Sequence, residues 1–445
     1  MSQTLPPSFL IPDRLGEARF ESPIKLSRII GDARANYVSD DERVLYSIEF
    51  STEHPGFHRD EMASLEKAGP RETIFYDPRN VHAAIVTCGG LCPGLNDVIR
   101  AIVMTLWSHY GVRRVTGFRH GYRGLVADSP YTPVPLDPKT VASIHRHGGT
   151  ILGSARGAGE RTGEIVDTLV RYNVDMLFTI GGDGTQKAAL RIKNEIERRR
   201  LSIAVVGVPK TIDNDLSFVE RSFGFETAVA EAVRAVDGAH TEATDAPRGV
   251  GLVKLMGRES GFIAAHAALA SNEADFVLIP EIPFEVDGKN GLLSHLSRRL
   301  DVQGHAMIVV AEGAGQSFAQ GQGTDAGGNK KLGDIGLFLQ NAILKHFQDK
   351  DQEVSLKYID PSYSIRAQAA NPADSIYCAR LGSNAVHAAL SGRTGCIVGM
   401  VNNRLVHVPI AAASGERNRV NPDGPLWRDV LFNTGMPLHM TNADD

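Results

Sequence analysis

The chain has 445 residues, 42% of them apolar, and a formal net charge of −5. That length exceeds one ordinary core and fits two or three domains, while mild acidity without a basic tract excludes a nucleic-acid-binding face. Four cysteines (Cys88, Cys92, Cys378 and Cys396) exclude a disulfide scaffold and read as reduced thiols of a cytoplasmic protein.

Cys88-x3-Cys92 has no second pair at zinc-finger spacing. No run approaches the roughly 18 apolar residues of a membrane span. The amino-terminal MSQTLPPSFLIPDRLGEARF lacks the continuous apolar core of a secretory signal.

Residues 1–80 are mixed, rich in proline and charge, and weakly periodic. They are expected to wrap a globular body as an extension. A regular pattern follows. HAAIVT (82–87) predicts a strand, CGGLCPG (88–94) a tight turn, and LNDVIRAIVMTLWSHYG an amphipathic helix closed by Gly111. The unit recurs: VDMLFTI (174–180) leads into GGDGT and a helix, and SIAVVGVP (202–209) leads into KTIDND. Further strands are expected at VGLVKLM (250–256), DFVLIP (275–280), HAMIVVAE (305–312) and CIVGMV (396–401). The stretch 313–334 is nearly all loop formers and predicts a mobile surface loop. Apolar strands alternating with helices mean an α/β protein with mainly parallel sheets. Ligands of such sheets bind at the carboxyl ends of the strands, where the glycine-rich and acidic turns lie.

GGDGT (181–185) places Gly181, Gly182 and Gly184 where main-chain amides can approach a ligand, and the following helix offers its amino terminus to phosphate oxygens. An aspartate there repels phosphate unless a cation intervenes. Mg²⁺ is the natural choice, so Asp183 reads as a metal residue. GSARG (153–157) adds Arg156, with Arg161 beyond it; both suit a phosphate, and both also suit a solvated surface. VPKTIDNDL (208–216) carries Lys210, Asp213 and Asp215 onto the end of an apolar strand. Turn chemistry alone accommodates them. Arg258, in KLMGRESG, meets an anion or a structural partner; Glu312, in AEG, could accept hydrogen bonds from sugar hydroxyls.

Taken in order, CGGLCPGLN, GYRGL, GGTILGSARG, IGGDGT, PKTIDND, GFETA, LMGRESGF, IPE and AEG resemble the phosphofructokinase A family over residues from about 80 to 410. GGDGT followed by PKTIDND separates the chain from NAD and lipid kinases. The long extension and CGGLCPG are most similar to the ATP-dependent plant and trypanosomatid branch. The resemblance implies two Rossmann-like lobes with the active site in the cleft between them. It assigns 81–224 plus 365–415 to a nucleotide-binding lobe, and 225–364 plus 416–445 to a sugar-phosphate lobe.

The resemblance also implies the activity, transfer of the ATP γ-phosphoryl group to the C1 hydroxyl of fructose 6-phosphate in glycolysis. Gly90, Arg156, Gly157, Gly182, Asp183, Gly184 and Thr185 then contact ATP, with Asp183 on Mg²⁺. Thr211, Ile212 and Asp213 meet the C1 hydroxyl, and Asp213 is the base. Asp215 organises the loop or the magnesium shell. Met256, Gly257, Arg258 and Glu312 line the sugar site, with Arg258 also in the catalytic set. Tyr363, Ser364, Ile365 and Arg366 approach the sugar phosphate.

Relatives of this kind are homo-oligomers, tetramers or dimers, with AMP, ADP or phosphoenolpyruvate as possible effectors. Two positions depart from the family pattern. Gly249, beside Arg248, stands where short bacterial members place an arginine that crosses to a neighbouring subunit, and Lys357 aligns with a second such arginine. Donor choice rests on Gly184, which leaves room for the α-phosphate of ATP. Lys210 is the counter-signal, because pyrophosphate users share it. A pyrophosphate-dependent enzyme and a catalytically silent regulatory subunit are the alternatives.

Overall fold

The computed structural model describes residues 10–48, 63–319, 321, 323, 331–415 and 417–442. The first strands are β1 (Arg43–Leu45), β2 (Ser64–Lys67), β3 (His82–Thr87), β4 (Arg114–Phe118) and β5 (Val134–Pro135). Then come β6 (Met176–Gly181), β7 (Ala204–Pro209), β8 (Gly249–Leu255), β9 (Phe276–Leu278) and β10 (His305–Ala311). The last are β11 (Ser355–Ile359), β12 (Cys396–Val401) and β13 (Arg404–Pro409). Two short antiparallel pairs stand apart: Asp13–Arg14 with Arg393–Thr394, and Phe20–Glu21 with Thr73–Ile74.

The chain divides into two compact units. The first is built from Met1–Thr211, Leu216–Gly224 and Gln368–Glu416. The second takes Ile212–Asp215, Phe225–Ala367 and Arg417–Asp445. The division therefore separates Ile212–Asp215 from Thr211 and joins it to the second unit.

The first unit holds a nine-stranded sheet in the order β1-β2-β13-β12-β7-β6-β3-β4-β5. Its five central strands, β12 to β4, run parallel. HAAIVT, MLFTIG, AVVGVP and CIVGMV are buried at every position. That explains their continuous apolar runs, because both sheet faces are covered by helices. The edges are antiparallel; β2 joins the sheet through β13, so part of the amino-terminal extension is sheet rather than wrapping.

Register sets the level of the turns. Thr87 lies beside Ile180, and Pro209 beside Gly181, so β3, β6 and β7 end together. From β3 the chain moves outward to β4, then returns to β6 on the other side of β3. The sheet reverses direction there, and the crevice outside such a point is where ligands bind.

The helix predicted from Leu95 to Gly111 is α-helical over Leu95–Met104. It widens into a π turn over Thr105–Tyr110, and Gly111 closes it at φ 75°. The second unit holds a four-stranded parallel sheet in the order β9-β10-β8-β11. β8 and β10 pair from Gly249 with His305 to Leu255 with Ala311, so Met256 and Glu312 leave the sheet at one level. The helix Phe262–Ser271 is apolar nearly all round, and it packs against the helix Phe225–Thr244 and the sheet.

Within the expected surface loop 313–334, residues 320, 322 and 324–330 lie outside the described residues. Its base is fastened by Gln316, whose side chain bonds the carbonyl of Glu312 at 2.7 Å and the amide of Gly333 at 3.0 Å. No described helix is long and apolar enough to cross a membrane. None of the four cysteines forms a disulfide, and all four are buried.

Candidate active site

In the first unit three turns meet at the ends of β3, β6 and β7. After β3 the chain is held open by glycine: Gly89 sits at φ 88° and Gly94 at φ 97°, conformations that favour a residue without Cβ. The Gly89 amide bonds the Ala155 carbonyl at 3.0 Å, and the Ser154 hydroxyl bonds the Gly89 carbonyl at 2.7 Å. These bonds bring CGGLCPG and GSARG together. Lys210 is buried beyond β7, and its Nζ donates to the Gly90 carbonyl at 2.8 Å. Gly90, Lys210 and the residues around Ala155 therefore share one end of the sheet. The Gly157 turn, at φ 87°, comes within reach of Arg123, which the sequence reading did not single out.

The three glycines of GGDGT have different reasons to be glycine. A Cβ on Gly181 would lie 2.3 Å from the Thr185 hydroxyl, and one on Gly182 would lie 3.1 Å from the Lys210 carbonyl. One on Gly184 would meet no protein atom within 4 Å. Packing thus explains Gly181 and leaves Gly184 facing open space. The helix Asp183–Arg198 starts here, and no side chain caps its amino terminus. Its first amides are the anion-binding kind.

Asp183 is the first residue of that helix, with Lys187 Nζ 2.8 Å from its carboxylate. Among the described residues no cluster of three or more His, Cys, Asp or Glu side chains is set to hold a metal. One carboxylate at a helix start does not make a protein cage. It does fit Mg²⁺ carried in with phosphate oxygens, since that ion is usually held by one or two carboxylates together with substrate phosphates. The donor set is compatible with the ion in that sense.

Arg161, for which the sequence left a phosphate and a solvated surface open, has acidic partners. Its guanidinium binds Asp128 at 2.8 Å and Glu164 at 2.8 and 2.6 Å, so it is a structural ion pair.

In the second unit Asp213 stands on the short segment Ile212–Asp215. Asn214 there takes a left-handed conformation at φ 56°, and the Ser260 hydroxyl bonds the Asp213 carbonyl at 3.2 Å. Asp213 keeps some accessible surface as a residue, but its carboxyl is densely enclosed. Lost hydration pushes the carboxyl up to about 7, and repulsion from Asp215 and Glu312 adds to the rise. The Arg258 amide and the Arg366 guanidinium oppose it. Glu312 is also raised by burial, against the pull of Arg366, Arg258 and Lys254. Arg258, Glu312, Arg366 and Asp213 thus form one electrostatic cluster.

Gly257, at φ 122°, allows the close turn; a Cβ there would lie 2.4 Å from the Ser260 carbonyl. Ile212, Met256 and Ile365 have almost no exposed surface, so what they can offer a ligand is main chain. Tyr363 is 84% exposed, and the Ser364 hydroxyl bonds the Pro361 carbonyl at 2.8 Å. In the first unit the Thr211 carbonyl accepts from the Ser222 hydroxyl at 2.5 Å.

The sequence reading missed Arg417. Its Nη1 lies 2.9 Å from Asp215, whose side chain is 7% exposed. One charged residue in a polar loop gives no sequence signal.

The two family departures have physical reasons. A Cβ on Gly249 would lie 2.0 Å from the Ala243 carbonyl, so no arginine fits there. Arg248 is held by Asp301 at 2.8 Å and lies over the Phe347 ring. Lys357 faces Glu242 at 3.8 Å.

A family model described as phosphofructokinase matches residues 82–389. The ATP-dependent 6-phosphofructokinase of Borreliella burgdorferi is 52% identical over 438 residues, covering 97% of each chain. The ATP-dependent 6-phosphofructokinase of Trypanosoma brucei brucei is 50% identical over 369 residues, 82% of this chain and 75% of that one. The solved structure of a pyrophosphate-dependent phosphofructokinase from Marinobacter aquaeolei matches with a TM-score of 0.64 at 20% identity, over 82% of this chain and 94% of that one. That last likeness speaks for the fold alone. With one family model spanning 82–389 and a relative more than half identical from end to end, the chain belongs to the phosphofructokinase family.

Proposed function

We propose that the protein is an ATP-dependent 6-phosphofructokinase, a phosphotransferase of glycolysis. It moves the γ-phosphoryl group of ATP to the C1 hydroxyl of D-fructose 6-phosphate, giving fructose 1,6-bisphosphate and ADP. One observation carries this reading: Asp213, raised to about 7, sits with Arg258, Arg366 and Glu312 beside the ends of β8 and β10. A base of that proton affinity accepts a hydroxyl proton at neutral pH. The arginines suit a sugar phosphate, and Glu312 suits sugar hydroxyls.

The first unit takes the nucleotide. Gly90, Arg156, Gly157 and the turn Gly182, Asp183, Gly184 and Thr185 hold its phosphates, with the helix amino terminus behind them. Asp183 would hold Mg²⁺, which would supply neutralisation of phosphate charge. The second unit takes the sugar phosphate. Met256, Gly257, Arg258 and Glu312 bind the sugar; Tyr363, Ser364, Ile365 and Arg366 bind its phosphate. Thr211, Ile212 and Asp213 attend the C1 hydroxyl, and Asp213 removes its proton.

Open space at Gly184 supports ATP as donor, because the position is not filled by protein. The buried Lys210 favours a second reading, pyrophosphate, since a lysine bonded to Gly90 would serve a shorter donor equally well. We further place the protein in the cytoplasm as a homo-oligomer, dimer or tetramer, which sizing in solution tests.

The experiment is fructose 1,6-bisphosphate formation from fructose 6-phosphate and Mg²⁺, with ATP and pyrophosphate supplied separately. Turnover with ATP alone is the expected result. Turnover with pyrophosphate would make Lys210 the reporter of donor choice, and turnover with neither would favour first an activator requirement and second a regulatory subunit.

A further inference from the structure

The segment Ile212–Asp215 is short, and Asn214 takes a left-handed conformation, which asparagine tolerates better than most side chains. The chain from Arg417 to Val420 packs against this segment and bonds it. Arg417 Nη1 meets the Asp215 carboxylate at 2.9 Å, and the Asn418 amide bonds the Asp215 carbonyl at 3.0 Å. Asp215 is therefore held by side chain and main chain at once. Two residues on, the Val420 amide bonds Glu281 Oε1 at 2.8 Å. The same oxygen accepts the Gly261 amide at 3.0 Å. Arg419 faces Glu259 at 3.6 Å. One four-residue stretch thus fastens both the segment bearing Asp213 and the Arg258–Gly261 turn.

We infer that Arg417 is a positioning residue for phosphoryl transfer. Its contact with Asp215, two residues from Asp213, fixes where the Asp213 carboxylate points. The inference rests on the reading of Asp213 as the base. A bond that only stabilised the fold would change melting. One that aims the base changes the chemical step, because small misplacements of a catalytic group cost rate far more than affinity.

The test compares wild type, Arg417→Ala, Arg417→Lys and Arg428→Ala, whose ion pair with Asp429 is exposed. Kinetics use saturating ATP with Mg²⁺ and varied fructose 6-phosphate. We expect Arg417→Ala to lose about 10- to 100-fold in kcat, with KM for fructose 6-phosphate changed by less than about threefold. Arg417→Lys should recover most of kcat. Free guanidinium at tens of millimolar should partly rescue Arg417→Ala and leave wild type unaided. Arg428→Ala should match wild type.

A folded Arg417→Ala with wild-type kcat, or a loss confined to KM, overturns the inference. If Arg417→Ala does not fold, Arg417→Gln, which keeps bulk but not the charge, decides: a lowered kcat at unchanged KM supports positioning, and unchanged kinetics with lowered melting overturns it. Asp213→Asn, run alongside, separates the two layers. Its full activity would remove the base itself, whereas an inactive Asp213→Asn beside a fully active Arg417→Ala removes only the role of Arg417.

Discussion

Asp213 combines two opposed properties. Its surroundings bring its proton affinity near neutrality, as the proposed base requires, and the same surroundings make its charge costly. A carboxyl raised from 3.8 to about 7 destabilises the folded state when ionised, by up to about 4 kcal/mol. The sign follows from linkage. Below pH 3.8 the group is protonated in both states and there is no penalty; the penalty grows up to about 7 and stays constant above it. Asp213→Asn should therefore lose about 10²- to 10⁴-fold in turnover, yet gain roughly 1–3 kcal/mol of stability at pH 8. Chemical denaturation at pH 8 and at pH 5 checks this, and the gain should shrink at the lower pH. With Asp213 as the proposed base, wild-type kcat/KM should fall as pH drops below about 7, which a pH–rate profile checks. Gly184→Asp makes the complementary case. No protein atom lies within 4 Å of a Cβ there, so the variant should fold and melt like wild type. Its added carboxylate should nevertheless abolish ATP turnover by steric and charge conflict with phosphate. Retained ATP turnover would remove Gly184 as the gate.

Among the elements, β3, β6, β7 and β12 were legible because burial on both faces leaves an unbroken apolar run. β2, with sequence SLEK, was not. Its Glu66 is buried by ionic partners distant in sequence, which no local pattern reveals. The glycine turns were legible for a related reason: their position at strand ends is a local property. The electrostatic setting of Asp213 was not, since it comes from Arg258, Glu312 and Arg366, brought in by three other segments. Arg156 and Arg161 show the limit most directly. A phosphate-binding arginine and a salt-bridged one look alike in sequence. The contacts of Arg161 with Asp128 and Glu164, at the start of the helix Thr162–Arg171, resolve the second of them. Arg161→Gln should accordingly leave KM for ATP unchanged and lower melting slightly, because both acidic partners are solvent-accessible. A rise in KM for ATP of tenfold or more would return Arg161 to the nucleotide site.

Across the molecule, the first unit closes around an ionic network that joins residues more than three hundred positions apart. Glu66 receives Arg393 at 2.7 Å, His407 at 2.8 Å and Arg71 at 3.1 Å. Asp40 receives Arg393 at 2.6 Å, Arg71 at 2.8 Å and Arg14 at 2.9 Å. Glu66 and Arg393 side chains are each only 2% exposed, so neither can turn to water if its partner is lost. Breaking such a pair costs about 3–5 kcal/mol, because a buried charge is left uncompensated. We expect Glu66→Gln to lose that much, with activity retained below its lowered melting temperature.

Acid should act through the same groups. Burial disfavours the Glu66 charge, but His407 and Arg393 more than reverse this and hold its carboxyl far below the usual range. Its stabilisation is thus present above the ordinary 4.5 and lost as pH falls toward the folded value. His407 is held below 6.5 by burial, against Glu66 and with the repulsion of Arg71 and Arg393. Folded His407 therefore takes up its proton at lower pH than the unfolded chain does, so stability declines as pH falls from 6.5 toward the folded value. The two slopes add, gently from 6.5 and steeply below 4.5. In urea titrations over this range Glu66→Gln should flatten the lower slope, and His407→Gln the upper one. Parallel curves for both variants and wild type would show that the acid sensitivity arises elsewhere.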